Sequence, residues 1–130
     1  MNTELYVNLP VKDLKRSNAF FERLGFQLNP KFSNEQASCV VLGVNIFAML
    51  LVESFFKTFT DKSLCDATRS TEVLVCLSCD SRAKVDELVA KAIAAGGRAP
   101  RAPQDQGFMY GHGFEDLDGH MWELIYMQPA

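Results

Sequence analysis

The sequence predicts an α+β domain built as two βαβββ modules in tandem, at about residues 1–60 and 71–130, forming a cup-shaped mixed sheet with the helices outside. Three observations predict it. The order strand, helix, strand, strand, strand occurs twice along the chain, and an internal repeat that cannot bury its sheet alone should pair with its copy. The leading segment of each copy alternates apolar and polar residues with the period of a strand. Each helical stretch runs into glycine, the usual stop signal.

The first segment, LYVNLPV, puts Leu5, Val7, Leu9 and Val11 on one face and Tyr6, Asn8 and Pro10 on the other. Asp13 then caps a helix through about Leu24, with Leu14, Phe20, Phe21 and Leu24 at helical spacing and Gly25 as its stop. Three short strands follow, around Phe26–Phe32, Ala37–Leu42 and Ile46–Val52. Phe55, Phe56 and Phe59 recur at near-helical spacing and read as a turn of helix packing against the body or a partner copy, or as an aromatic flap. After the polar connection TDKSLCDATRS, the segment TEVLVCLS repeats the first strand, with Val73, Val75 and Leu77 opposite Glu72, Leu74 and Cys76. A helix from Arg82 to Ala95 is capped by Asp80 or Ser81. It buries Val85, Leu88, Val89, Ala92 and Ile93 and ends at Gly96-Gly97. A Pro-rich edge segment, a strand from Phe108 to Phe114, a turn at Asp116–Gly119 and a last strand from Met121 to Met127 complete the copy.

Parity then assigns the faces. The aliphatic faces of the two leading strands meet the helices, and the opposite faces, carrying Tyr6, Asn8, Glu72, Leu74 and Cys76, line a shared cavity. Tyr110 and His112 share a strand face with Phe108 and Phe114, and if that face also lines the cup they supply polar contacts to an otherwise apolar pocket. A histidine satisfied at a strand edge is the competing reading of His112. His112 and His120 also flank the acidic turn residues Glu115, Asp116 and Asp118, which are expected to be solvated caps rather than a metal clip.

The 130 residues suffice for one domain without disulfide or metal staples. A net charge of −3 and the absence of a basic cluster exclude nucleic acid and anionic membrane as partners. The N-terminus lacks a signal peptide pattern and the longest apolar run, Ile46–Val52, is too short to span a bilayer, so the chain is expected to be cytoplasmic. Cys39, Cys65, Cys76 and Cys79 accordingly read as reduced, buried structural thiols.

One residue stands against its surroundings. In GFEDLDGHMWELIYM, Glu123 lies between Trp122 and Leu124 in a strand whose two faces are both apolar. A carboxylate so placed needs a cation, a metal or hydrogen-bond donors, which makes Glu123 a site candidate.

The stretches LPVKDLKRSNAFFERLGF and FEDLDGHMWELIYM resemble the opening and closing motifs of the vicinal-oxygen-chelate superfamily, which includes glyoxalase I, extradiol dioxygenases, fosfomycin-resistance transferases and bleomycin-resistance proteins. The chain is most similar to bacterial proteins predicted as lactoylglutathione lyases, over essentially its whole length. The resemblance implies a metal held by one residue from each of up to four strands, polarising two adjacent substrate oxygens. By position, the last-strand ligand matches Glu123. The first-strand ligand falls on Tyr6, the fifth-strand one on Glu72 or Leu74, and the fourth-strand one on Ala48 or Met49. Glu123 and Tyr6 thus stand at the catalytic positions, with Glu72 and Glu123 as the good metal donors. Two carboxylates leave a divalent site incomplete, so the expectation is a cup without metal. The functional expectation is a glyoxalase-like protein acting on or binding a small oxygenated molecule, with lyase or isomerase chemistry if active. The alternative is a metal-free binding protein that sequesters its ligand. Superfamily members commonly pair, and a homodimer is expected.

Overall fold

The computed structural model describes residues 3–129, and the chain divides between Cys65 and Asp66 into two compact units. In the first unit β1 (Leu5–Val11) leads to α1 (Leu14–Arg23), then β2 (Gln27–Asn29), β3 (Ala37–Gly43) and β4 (Ile46–Val52). In the second, β5 (Leu74–Ser78) leads to α3 (Arg82–Ala94), then β6 (Gln104–Asp105), β7 (Met109–Glu115) and β8 (Met121–Met127). A short helix, α2 (Glu53–Phe56), and a 3-10 turn at Lys57–Phe59 follow β4. The tandem βαβββ order is therefore present, as two four-stranded mixed sheets ordered β1-β4-β3-β2 and β5-β8-β7-β6. In each, the leading strand is parallel to the last and the remaining pairs are antiparallel.

Local chemistry sets these elements. The Asp13 carboxylate accepts from the Arg16 N–H at 3.2 Å and opens α1, and Gly25, at φ 102°, closes the turn after it. α1 buries Leu14, Ser17, Phe20 and Phe21 against its sheet, where Leu9, Val11, Val40 and Leu50 are also buried. Ser81 caps α3 by accepting from Lys84 N–H at 3.0 Å. Val85, Leu88, Val89 and Ala92 form its buried stripe, but Ile93 is 51% exposed. At about 100° per residue Ile93 lies roughly 80° round from Val85, past the edge of the buried face.

Two strand boundaries and the burial of the thiols differ from the sequence reading. The second strand stops at Asn29, whose side chain accepts from Lys31 N–H and starts a 3-10 turn at Pro30–Phe32, because proline cannot donate to the ladder. β5 begins only at Leu74, the first residue in register with β8, so Glu72 precedes the strand and is exposed. The thiols are free, but only Cys39 is buried, while Cys65 and Cys76 are exposed. Cys76 projects from a strand face that carries no helix. No helix among the described residues is long and apolar enough to cross a membrane.

Candidate functional site

In the second unit, residues of β5, β8 and β7 align in rows across the sheet. Val75, Trp122 and Phe114 form one row, and Leu77, Leu124 and His112 another. Trp122, Leu124 and Phe114 are buried there, with Trp122 and Phe114 stacked at 6.2 Å, so this face meets α3. Strand alternation turns the intervening rows the other way: Leu74, Met121 and Glu115, then Cys76, Glu123 and Gly113, then Ser78, Ile125 and Gly111.

Over this second face lies a cavity of about 300 Å³, bordered by Met121, Glu123 and Ile125 of β8, by Met109 and residues 111–115 of β7, and by residues 100–102, Gln104 and Gln106. Its floor is low because Gly111 and Gly113 bring no side chains. A Cβ built on Gly113 would lie 2.8 Å from the Glu123 Oε2 and 2.7 Å from the Trp122 carbonyl oxygen. The Glu123 carboxylate thus fills the space where a side chain at Gly113 would go. Glu123 and Glu115 are half-buried, and among the described residues no hydrogen-bond donor or ion-pair partner reaches either carboxylate. Beside Glu123, the Cys76 thiol, exposed but partly desolvated by its neighbours, is pushed up first by that desolvation and then by the Glu123 charge, so it stays protonated at neutral pH.

The other expected site residues fall as follows. Tyr6, on the β1 face away from α1, stacks on Phe47 at 4.8 Å and donates its hydroxyl to Glu4 at 2.9 Å, a bond that pushes the phenol up. Asn8 is exposed on the same face, in register with Met49. Leu74 and Cys76 share the face of Glu123, and Glu72 lies off the strand. Tyr110 does not line the cavity. It points to the helix side, where its hydroxyl donates to the Asp86 carboxylate on α3, because even positions of β7 face the core. His112 borders the cavity from that same parity, and its Nε2 meets the Arg101 carbonyl oxygen at 2.8 Å. The acidic turn is not a set of solvated caps: Asp116 is 7% exposed and accepts from Trp122 Nε1, Asp118 N–H and His120 N–H, each at 3.0 Å.

The residues that the sequence reading passed over are Gly111 and Gly113. Their signal was present in the alternation YGHGF: two glycines two apart inside a strand mark a face stripped of side chains.

The four-strand metal expected by resemblance does not fit these residues. Tyr6 is a phenol held protonated by Glu4, Glu72 is off the strand, and Leu74, Ala48 and Met49 offer no hard donor, leaving Glu123 alone. Among the described residues no group of three or more His, Cys, Asp or Glu side chains comes together as a metal site.

Comparison with known proteins agrees with this architecture. Residues 3–45 match the family model described as bleomycin resistance protein-like N-terminal. A hypothetical protein, SA1046 of S. aureus, superposes with a TM-score of 0.81 at 30% identity, covering 97% of this chain and 95% of that one. A glyoxalase/bleomycin resistance protein/dioxygenase family enzyme from Burkholderia phytofirmans PsJN gives 0.77 at 21% identity, over 94% and 96% of the two chains. The chain belongs to the family of the S. aureus protein, and its fold is that of the glyoxalase/bleomycin resistance/dioxygenase structures. The fold is shared as well with the bleomycin resistance determinant encoded on transposon Tn5, at a TM-score of 0.68 and 20% identity, over 98% and 100% of the chains. No curated protein matches this chain significantly in sequence.

Proposed function

We propose that this protein binds a small oxygenated molecule on the glycine-floored face of its second unit, with Glu123 as the group that accepts the ligand's hydroxyl protons or hydrogen bonds. The observation that supports it is the Glu123 carboxylate beside Gly113, in a cavity of about 300 Å³ and without a partner among the described residues. A carboxylate with no partner among the described residues can accept from a ligand's donors without first giving up a bond within the protein, and such charge-assisted bonds are the strong ones. Met109, Met121 and Ile125 supply apolar contact, and Glu115 offers a second acceptor on the same face. Glu123 is also the group placed to draw a proton from a bound substrate, which is where lyase or isomerase chemistry would begin. No step is assigned to a metal, because the donor set does not hold one.

A library of small hydroxylated compounds tests this by two-dimensional NMR on protein purified without chelator. Binders should perturb the Gly111, Gly113 and Met121 amides, persist in excess chelator, and lose at least tenfold in affinity in Glu123→Gln. Binders indifferent to Glu123→Gln would overturn the role of the carboxylate. Stoichiometric bound metal, lost in that variant, would restore the metal reading. Methylglyoxal with glutathione, assayed on the same samples, reports whether proton transfer follows binding.

A further inference from the structure

We infer that Arg82, at the start of α3, is a positioning residue for the outer wall of the cavity: it clamps the segment around Asp105 from behind and so holds Gln104 and Gln106 against the cavity. The inference rests on the cavity being the ligand site, but its geometry stands apart from that reading. Gln104 and Gln106 border the cavity, and Asp105 between them turns the other way, toward α3. There the Arg82 guanidinium grips its carboxylate in a fork, Nη1 to Oδ2 at 2.7 Å and Nη2 to Oδ1 at 3.2 Å. Nη2 also donates to the Gly107 carbonyl at 3.0 Å, and Gly107 N–H returns to Asp105 Oδ1 at 3.0 Å. The guanidinium carbon sits 5.0 Å from the centre of the Tyr110 ring, and Tyr110 is itself tied to Asp86 on α3.

Two features say that this is more than an incidental surface pair. β6 is only two residues long, paired at Gln104 with Gly111 and at Asp105 with Tyr110, too short to hold a wall by itself. In addition, Arg82 is the first residue of α3, where a cation opposes the helix dipole and an acid is preferred. The helix gains nothing from arginine there, whereas the wall does.

Hydrogen exchange of the full chain in the absence of ligand decides the matter. In Arg82→Met the Gln106 and Gly107 amides should exchange at least tenfold faster while Val89 and Ala92 in α3 are unchanged, and Arg82→Lys, which lacks the fork, should fall between. Raising salt should speed those two amides in the wild type, because the pair is exposed, and leave Arg82→Met unaffected. A ligand readout uses resorcinol, whose hydroxyls suit Glu123: its off-rate should rise at least threefold in Arg82→Met. Unchanged exchange at Gln106 and Gly107 would overturn the clamp. Faster exchange with an unchanged resorcinol off-rate would overturn the positioning role. Failure of resorcinol to bind the wild type counts against the ligand reading, while exchange still decides the clamp.

Discussion

The Glu123 carboxylate occupies the space that a side chain at Gly113 would need, in register directly across the β7–β8 pair. Each residue therefore limits the other. Gly113→Ala should cost about 1–3 kcal/mol, since the far end of Glu123 can swing aside but the Trp122 carbonyl, 2.7 Å from the new Cβ, is backbone. The displaced carboxylate should also weaken the binding of any compound that depends on Glu123. Chemical denaturation and NMR titration read the two effects separately.

Gly119 and Gly107 both sit at positive φ, 88° and 83°, yet they should respond differently to alanine. At Gly107 nothing lies within 4 Å of the added Cβ, so only the backbone cost of about 1–2 kcal/mol applies. At Gly119 the Cβ meets the Ala67 carbonyl oxygen and Thr68 N at 2.8 Å. Overpacking then adds about 1–3 kcal/mol, and Gly119→Ala should be clearly the less stable variant in parallel denaturant melts.

Asp116 ties the last turn to the core through the Trp122 indole. Asp116→Ala should destabilise the chain by about 1–3 kcal/mol for the buried indole N–H alone. Burial pushes the Asp116 carboxyl up, and the neighbouring His120 charge only partly offsets this. The sign follows: a raised folded-state pKa contributes stability below the ordinary carboxylate range, and that contribution is lost as pH rises through the raised value. Thermal melts from about pH 4 upward should show this fall in the wild type and a flatter profile in Asp116→Asn.

Asp105 has the opposite sign. The Arg82 fork, followed by the Gly107 N–H, holds its carboxyl below the ordinary range. Its contribution is present above that range and lost as pH falls through the lowered value. Tyr110 and Tyr126 also face the guanidinium, and Tyr110 is pushed up by its bond to Asp86, so it stays a neutral phenol in the acid limb. The Gly107 amide resonance should titrate at lower pH in the wild type than in Arg82→Met, and coincident titrations would refute the assignment.

Most of the fold was legible in the sequence because period and punctuation agree along it. The limits of β4 and β8, the cap at Asp13 and the turn before Met121 all follow from local pattern. Errors arose where register decides. Alternation assigned Glu72 to a strand, but strand length is set by what β8 pairs with, and pairing starts at Leu74. Tyr110 and His112 were correctly grouped on one face, yet which face meets α3 depends on the partners Tyr126 and Leu124 across the ladder. Glu123 was legible as an anomaly from charge alone. The glycines that make room for it were not, because an absent side chain leaves no hydrophobic signal.

The parallel pairing of β1 with β4 has a consequence for how the chain is made. β1 leaves the ribosome first, but its partner is not complete until Val52 has followed, whereas β3 and β4 can join across a short turn as soon as both exist. Closing the longer loop costs more entropy before any ladder contact repays it, so β1 should dock late, onto a hairpin already formed. Meanwhile it is a nascent strand with Leu9 and Val11 uncovered. Pro10 within it removes one donor from the exposed ladder, which native pairing at the sheet's edge tolerates and promiscuous pairing with other nascent strands does not.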